Sequence, residues 1–294
     1  MKTLRVVALL ISTLGVMLSA QTPGAQTPQR PTEIGQTKFA SSRNVVPVYE
    51  GWIRNPDGSF DMVFGYFNRN FEEEVAMPVG PDNTVDPGGP DRGQPTYFLP
   101  RRQARLFRVR VPKDWGTKEL IWTLRVNGQV EKAYGELIPV EEINERIMMT
   151  GGNAVLDDDP NQPPAITVSV PGTANVSAPL TLTANVTDDG LPKPREAAPR
   201  PATPPPATTA SADGTIQRQR NSNAVAARPR GLTVSWFQYG GPAKVTFSPA
   251  GAIAAASGTA TATAKFSAPG TYVLQATAND GALSKRTLVT VVVR

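Results

Sequence analysis

The sequence predicts an all-β protein built as two β-sandwich-like domains. Short runs of alternating apolar and polar residues recur through residues 45–150 and 165–294, the period-two pattern of half-buried strands. Turn formers separate them: the 294 residues include 25 Gly and 29 Pro, with Asn-Gly and Asp-Gly pairs between apolar runs. Helical spacing is confined to residues 140–149, where Ile143 and Ile147 sit among Glu141, Glu142, Glu145 and Arg146.

Taken in chain order, the first segment has the form of a secretory signal. Lys2 and Arg5 precede a mostly apolar stretch from Val7 to Leu18, and Leu18-Ser19-Ala20 supplies a small-residue cleavage site. The run falls short of the roughly 20 residues a membrane span needs, which favours removal of residues 1–20 over retention as an anchor. Export to a bacterial periplasm or cell surface is the resulting expectation, with no integral span after cleavage. Residues 21–44 are rich in Gln, Thr and Pro and read as a disordered leader.

The first domain is expected over residues 45–150. Its best strand is 59–67, with Phe60, Met62, Phe64 and Tyr66 on one face and Asp61, Val63, Gly65 and Phe67 on the other. Asn55-Pro56-Asp57-Gly58 before it marks a hairpin. Residues 105–111 alternate Phe107, Val109 and Val111 with Arg108 and Arg110. Residues 119–126 alternate Leu120, Trp122, Leu124 and Val126, then run through Asn127-Gly128 into 129–137 as a second hairpin. Six or seven strands are expected. The Gly- and Pro-rich stretch 78–95 reads as a long surface loop, and 151–164, with Asp157-Asp158-Asp159, as a flexible acidic linker that few contacts should cross.

The second domain, 165–294, shows seven alternating runs: Ile166/Val168/Val170, Leu180/Leu182/Ala184/Val186, Leu232/Val234/Trp236, Val245/Phe247, Ala260/Ala262/Ala264/Phe266, Tyr272/Leu274/Ala276/Ala278 and Val289/Val291/Val293. Trp236 is the expected core anchor. Between the second and third runs lies a Pro/Ala/Arg-rich insertion, 191–230. It has too little apolar surface to offset the entropy of ordering and reads as a disordered loop, with trypsin-sensitive Arg218, Arg220 and Arg228. Asp188-Asp189-Gly190-Leu191, the stretch through Trp236 to Val245-Thr246-Phe247, and Pro269-Gly270-Thr271-Tyr272 through Asn279-Asp280-Gly281 resemble the PKD-like immunoglobulin-fold modules of surface and secreted proteins. The resemblance covers 165–294 apart from the insertion, which the family replaces by a short turn. It implies an immunoglobulin-like fold and a spacer or adhesion role, and it brings no catalytic residues.

Composition excludes much chemistry. The chain contains no His and no Cys. A histidine base, a thiol nucleophile, a His/Cys zinc site and a disulfide framework are therefore unavailable. Net charge is +5, but residues 191–230 alone carry seven Lys and Arg against Glu196 and Asp213. The basicity sits in one Pro-rich segment rather than on a folded face, which argues against nucleic-acid binding. No phosphate loop, nucleophile elbow or nucleotide fingerprint occurs. No residue is assigned as catalytic, cofactor-binding or metal-binding, and no cofactor is expected.

Three constellations are weaker candidates. Calcium ligands could come from Asp82, Asp86 and Asp91, from Asp157–Asp159, or from Asp188, Asp189 and Asp280, although Asp beside Gly and Pro is ordinarily a turn former. Arg101, Arg102, Arg105, Arg108 and Arg110 could meet an anionic polysaccharide or a phosphate group; the simpler reading pairs them with Glu72–Glu74 or Glu119 across strands. Glu50 and Asp61 are examples of carboxylates that could run histidine-free glycoside hydrolysis, although adjacent acids are common on any solvated sheet. Outward aromatics such as Phe67 suggest a contact patch. The resulting expectation is a non-catalytic exported protein contacting an envelope protein or polysaccharide through its first domain. The alternative is a calcium-dependent carbohydrate-binding or enzyme-accessory module.

Overall fold

A computed structural model describes residues 38–150, 160–176, 178–193 and 231–294. The signal segment, residues 21–37 of the leader, 151–159 of the linker and 194–230 of the insertion lie outside the described residues.

The first domain is a small sandwich. In chain order it contains β1 (Val45–Arg54), β2 (Phe60–Asn68), β3 (Val75–Ala76), β4 (Asn83–Asp86), β5 (Tyr97–Phe98), β6 (Arg101–Val111), β7 (Leu120–Val126) and β8 (Gln129–Gly135). One sheet has the order β1-β2-β6 and its partner β4-β7-β8, with β3 and β5 forming a short ribbon. The β7–β8 turn has positive φ at both Asn127 and Gly128, the mirror-image turn whose twist matches a hairpin. Aromatic rings fill the interior: Trp122 meets Phe107 edge-on at 4.9 Å, and Phe107 stacks on Phe64 at 5.5 Å. Burying such a side chain contributes about 1.5–3 kcal/mol, and the rings share the core with aliphatic residues such as Val109, Leu120 and Leu124.

Two expectations change here. Residues 78–95 are not loop throughout, because β4 forms inside them and pairs with β7. Its buried Asn83 donates from Nδ2 to the Met77 and Pro95 carbonyls (3.1 and 2.9 Å) and accepts from Trp122 Nε1 (3.0 Å), so Gly and Pro flank a strand held by polar contacts. On β2, Asp61 and Val63 fall on the parity expected to face water, yet both are buried. The 138–149 segment crosses that side of the sheet. Ile143 donates its N–H to the Trp52 carbonyl (2.8 Å), and Trp52 Nε1 donates to the Ile138 carbonyl (2.8 Å). It ends in α1 (Glu145–Met149), capped by the Asn144 side chain.

The second domain contains β9 (Ala165–Ser169), β10 (Thr173–Ala174), β11 (Leu180–Thr187), β12 (Thr233–Gly240), β13 (Val245–Ser248), β14 (Ile253–Ala254), β15 (Thr259–Phe266), β16 (Gly270–Asn279) and β17 (Ser284–Val293). Its sheets are ordered β13-β15-β11-β9 and β10-β17-β16-β12-β14. Apart from the two-residue edge strands β10 and β14, this is the four-on-three strand order of an immunoglobulin-like sandwich. The Thr-Ala repeat of β15 turns Ala260, Ala262 and Ala264 inward against β11. Tyr272, near the start of β16, donates its hydroxyl to the Ala268 carbonyl (2.7 Å), the corner contact of such folds. Trp236 is only partly buried; it packs against both halves of the core, and its Nε1 is enclosed without a hydrogen-bond partner among the described residues.

The sandwiches are not independent. Tyr239 is buried within the first domain's core, and Phe237 and Val273 pack against it. These three lie on the outward face of the β12-β16-β17 sheet, opposite the parity of Val234 and Leu274. Thr96 donates its N–H to the Tyr239 carbonyl (3.1 Å) and its Oγ1 accepts from Gly241 N–H (3.2 Å). Lys244 pairs with Glu74 at 2.6 Å, and Ser284 Oγ donates to the Met149 carbonyl at 2.8 Å. Lys38–Arg294 accordingly forms one compact unit.

Candidate functional site

The arginines of β6 are spent differently from one another. Gly65 opposes a register shift in β6, and Phe64 pairs with Phe107 while Tyr66 pairs with Gln103. This bulge redirects the side chains between them. Arg102 pairs with Glu50 at 2.7 Å; Arg108 reaches Asp61 at 3.3 Å and also Glu145; Arg110 meets Asp61 at 3.0 Å. These arginines are paired with acids, as the simpler reading expected, but Glu72–Glu74 and Glu119 are not the partners. Glu73 accepts instead from Ser42 N–H (2.6 Å), and Glu74 from Tyr97 (2.7 Å) and Lys244. The bulge register decides which acid each guanidinium meets, and composition does not reveal it.

The carboxylate pair considered for hydrolysis is occupied. Glu50 Oε1 accepts from Arg102 (2.7 Å) and from the Arg105 N–H (3.3 Å). Asp61 is buried, which alone would raise its pKa; hydrogen bonds from Arg110, Asn55 and Arg108 outweigh this and hold it below the ordinary carboxylate value. A general acid needs a proton near neutral pH, and Asp61 is tuned the other way.

The acidic sets are largely turn formers. Asp280 accepts from the Ala282 and Leu283 N–H groups (2.6 and 2.7 Å) and from Asn161 Nδ2 (3.0 Å). Asp189 accepts from Gln162 and Leu191 N–H, both at 2.9 Å. Burial, with the charges of Asp280 and Asp189 nearby, raises the Asp188 pKa. Asp82 pairs with Arg125 at 3.4 Å, and Asp91 accepts from Gly93 N–H at 3.0 Å. Among the described residues no group of three or more acids is placed to hold a metal ion. Asp157–Asp159 lie outside the described residues.

What the fold does assemble is an aromatic and cationic patch. Residues 38–44, assigned by composition to the leader, are fastened as a strap along the turn after β2. Phe71 donates its N–H to the Phe39 carbonyl (2.9 Å), and Arg43 N–H donates to Asn70 Oδ1 (2.7 Å) while Asn70 Nδ2 donates to the Arg43 carbonyl (2.9 Å). Asn68 and Asn70 are fully buried and fix this turn from within. Phe39 and Phe71 are left 42% and 38% exposed, with partly buried Phe67 beside them. Arg101 lies 3.9 Å from the Phe71 ring and 4.7 Å from Phe67, Arg43 lies 3.5 Å from Phe39, and Lys38 lies 5.4 Å from Phe71. Each such contact is worth about 0.5–1 kcal/mol when exposed. Phe67 and Arg101 were the members visible in the sequence. Phe39, Phe71 and Arg43 were not, because the two segments meet through backbone hydrogen bonds and buried asparagine amides, which leave no apolar period.

No helix among the described residues is long and apolar enough to cross a membrane. No family model and no curated protein matches the chain. Among solved structures, the D00-D0 domain of intimin is 13% identical, covering 85% of this chain and 100% of its own, at a TM-score of 0.26. A chimeric titin Z1Z2 functionalized with a KLER exogenous peptide from decorin is 9% identical, covering 86% of this chain and 99% of its own, at a TM-score of 0.24. The immunoglobulin-like arrangement of the second sandwich rests on its own strand order, and neither likeness adds to it.

Proposed function

We propose that the chain is an exported, non-catalytic envelope or surface protein of a bacterium, contacting another macromolecule through its first β domain. The partner on this reading is an envelope protein or polysaccharide. The observation that carries it is the Phe39–Phe67–Phe71 patch with Lys38, Arg43 and Arg101 against its rings. Exposed aromatics flanked by guanidinium groups offer both an apolar platform and donors for anionic or hydroxyl groups, the pairing enriched where proteins meet partners. The non-catalytic part is supported by the missing histidine and cysteine and by the engagement of Glu50 and Asp61 with arginines. The second sandwich, read as a PKD-like module, serves as spacer or adhesion unit, here one that also braces the first domain.

A photocrosslinking residue placed at Phe71, in cells exporting the protein, tests this. A defined adduct is expected from position 71, reduced by Arg101→Ala, and none from Tyr134, exposed on β8. Equal adducts from both positions, or none from position 71, would refute a contact through this patch.

A further inference from the structure

Between the sandwiches lies a cavity of about 340 Å³, walled by the β6 bulge, α1, Tyr239 and the start of β17. Its charge is one-sided. Arg105, Arg108, Lys285 and Arg286 line it against the single acid Glu145, and Glu145 is paired with Arg108. Among the described residues Arg286 makes no ion pair; the hydrogen bond its guanidinium donates goes to the Arg105 carbonyl. Arg105 makes none among them either: its Nη2 donates to the Thr150 carbonyl at 3.3 Å, and its Nε is buried without a partner among the described residues. Burial, then the charges of Arg105 and Arg108, lowers the Arg286 pKa, as expected for a cation placed among cations.

This arrangement is built, not incidental. Arg105 has φ 49°, a left-handed conformation that a β-carbon disfavours. It sits in the bulge, where Glu50 accepts its N–H and a side chain at Gly65 would collide with the Gln103 carbonyl. Strain of this kind persists only where surroundings enforce it, and it concentrates at binding sites. Two guanidinium groups are thereby brought to one cavity with unspent donors, at an electrostatic cost the described residues do not offset. An oxyanion would accept from both and cancel that cost.

We propose that this cavity binds a small ligand carrying an oxyanion (carboxylate, phosphate or sulfate), with Arg286 and Arg105 as its direct donors. The remainder of the ligand contacts Met148, Phe107 and the exposed Leu288, which leaves room for a compact organic body such as a single acidic sugar. The site is separate from the aromatic patch and stands whether or not the patch binds a macromolecule.

Isothermal titration of the full chain with inorganic phosphate, sulfate and glucuronic acid tests it, each against chloride at matched ionic strength. One saturable site is expected for at least one probe. Arg286→Gln and Arg105→Gln should each weaken it about tenfold or more, the loss of a charge-assisted contact, while Lys265→Gln on β15 leaves it unchanged. Saturation by phosphate or sulfate alone identifies a free inorganic ion; saturation by glucuronic acid identifies the carboxylate of an organic ligand. In the unsubstituted chain the binding probe should slow hydrogen exchange in residues 104–108 and 284–288, a readout independent of how the variants fold. Absence of a saturable site for every probe, unchanged affinity in Arg286→Gln, or unaltered exchange in both segments would overturn the proposal.

Discussion

Tyr239 belongs by sequence to the second sandwich and by packing to the first, so its truncation should uncouple them. The side chain is 6% exposed and lies in the core that holds Phe64, Phe98 and Trp122, with its hydroxyl donating to the Gly93 carbonyl. Truncating a buried aromatic to Ala costs about 3–5 kcal/mol, the transfer of the ring plus the hole it leaves. Removing the hydroxyl alone costs about 1 kcal/mol. Tyr239→Ala is therefore expected to lose about 4 kcal/mol and Tyr239→Phe about 1. Against a typical total of about 5–15 kcal/mol, the larger loss is a substantial fraction. Because the hole opens in the first domain while its cause sits on β12, the effect should also appear in cooperativity. Urea unfolding followed by tryptophan fluorescence, with hydrogen exchange read separately in 60–68 and 270–279, should show one transition for the unsubstituted chain. In Tyr239→Ala the two segments should separate, 60–68 opening first. Two well-separated transitions in the unsubstituted chain, or a loss under about 1 kcal/mol in Tyr239→Ala, would refute the shared-core reasoning.

Further outcomes follow from single contacts. Asn83→Ala strands two carbonyls and the Trp122 indole N–H, and should cost about 3 kcal/mol in chemical denaturation; Asn185→Ala, whose bond to Thr259 is exposed, should stay within about 0.5. Asp61 has a folded pKa below its unfolded value, so its stabilising contribution is present above the unfolded pKa and is lost as pH falls through the folded one. Stability measured from pH 6 downward should accordingly fall in the acid range, and Asp61→Asn should be less stable at pH 6 and show a shallower acid slope. Gly65→Ala would place a β-carbon 3.0 Å from Ala104 Cα and nearer still to the Gln103 carbonyl, and should cost about 1–3 kcal/mol by thermal melting.

Much of the fold is legible in the sequence because its strands alternate cleanly. Ala260, Ala262 and Ala264, Leu180 through Val186, and the Asn127-Gly128 hairpin all sit where period and turn chemistry put them. The pattern fails where burial has a second cause. Asp61 and Val63 occupy the nominally wet parity of β2, but a crossing segment covers that face. Asn83 lies in a stretch whose Gly and Pro hide a strand, since its hold is polar and leaves no apolar period. Tyr239 and Phe237 did carry a signal: on β12 both parities are apolar, which implies a sheet covered on both faces. The arginines were legible as a group, whereas their partners depend on a bulge register that no local pattern encodes. The cationic cavity draws on β6 and β17, far apart in sequence, and is visible only once the halves are docked.

The buried asparagines of the first domain do the work that cross-links do elsewhere. Asn68 bridges the backbone at Glu73 and Phe98, Asn70 bridges to Arg43, and Asn83 bridges Met77, Pro95 and the Trp122 indole. Each spans a separation along the chain that a secreted domain commonly closes with a disulfide. Amides make these closures reversible and indifferent to redox potential. With no thiol in the sequence, the fold needs no thiol oxidase or disulfide isomerase to mature, and a reducing medium takes nothing from it. Its vulnerability moves to hydrolysis: conversion of any of these amides to a carboxylate would put a charge where a neutral donor is required.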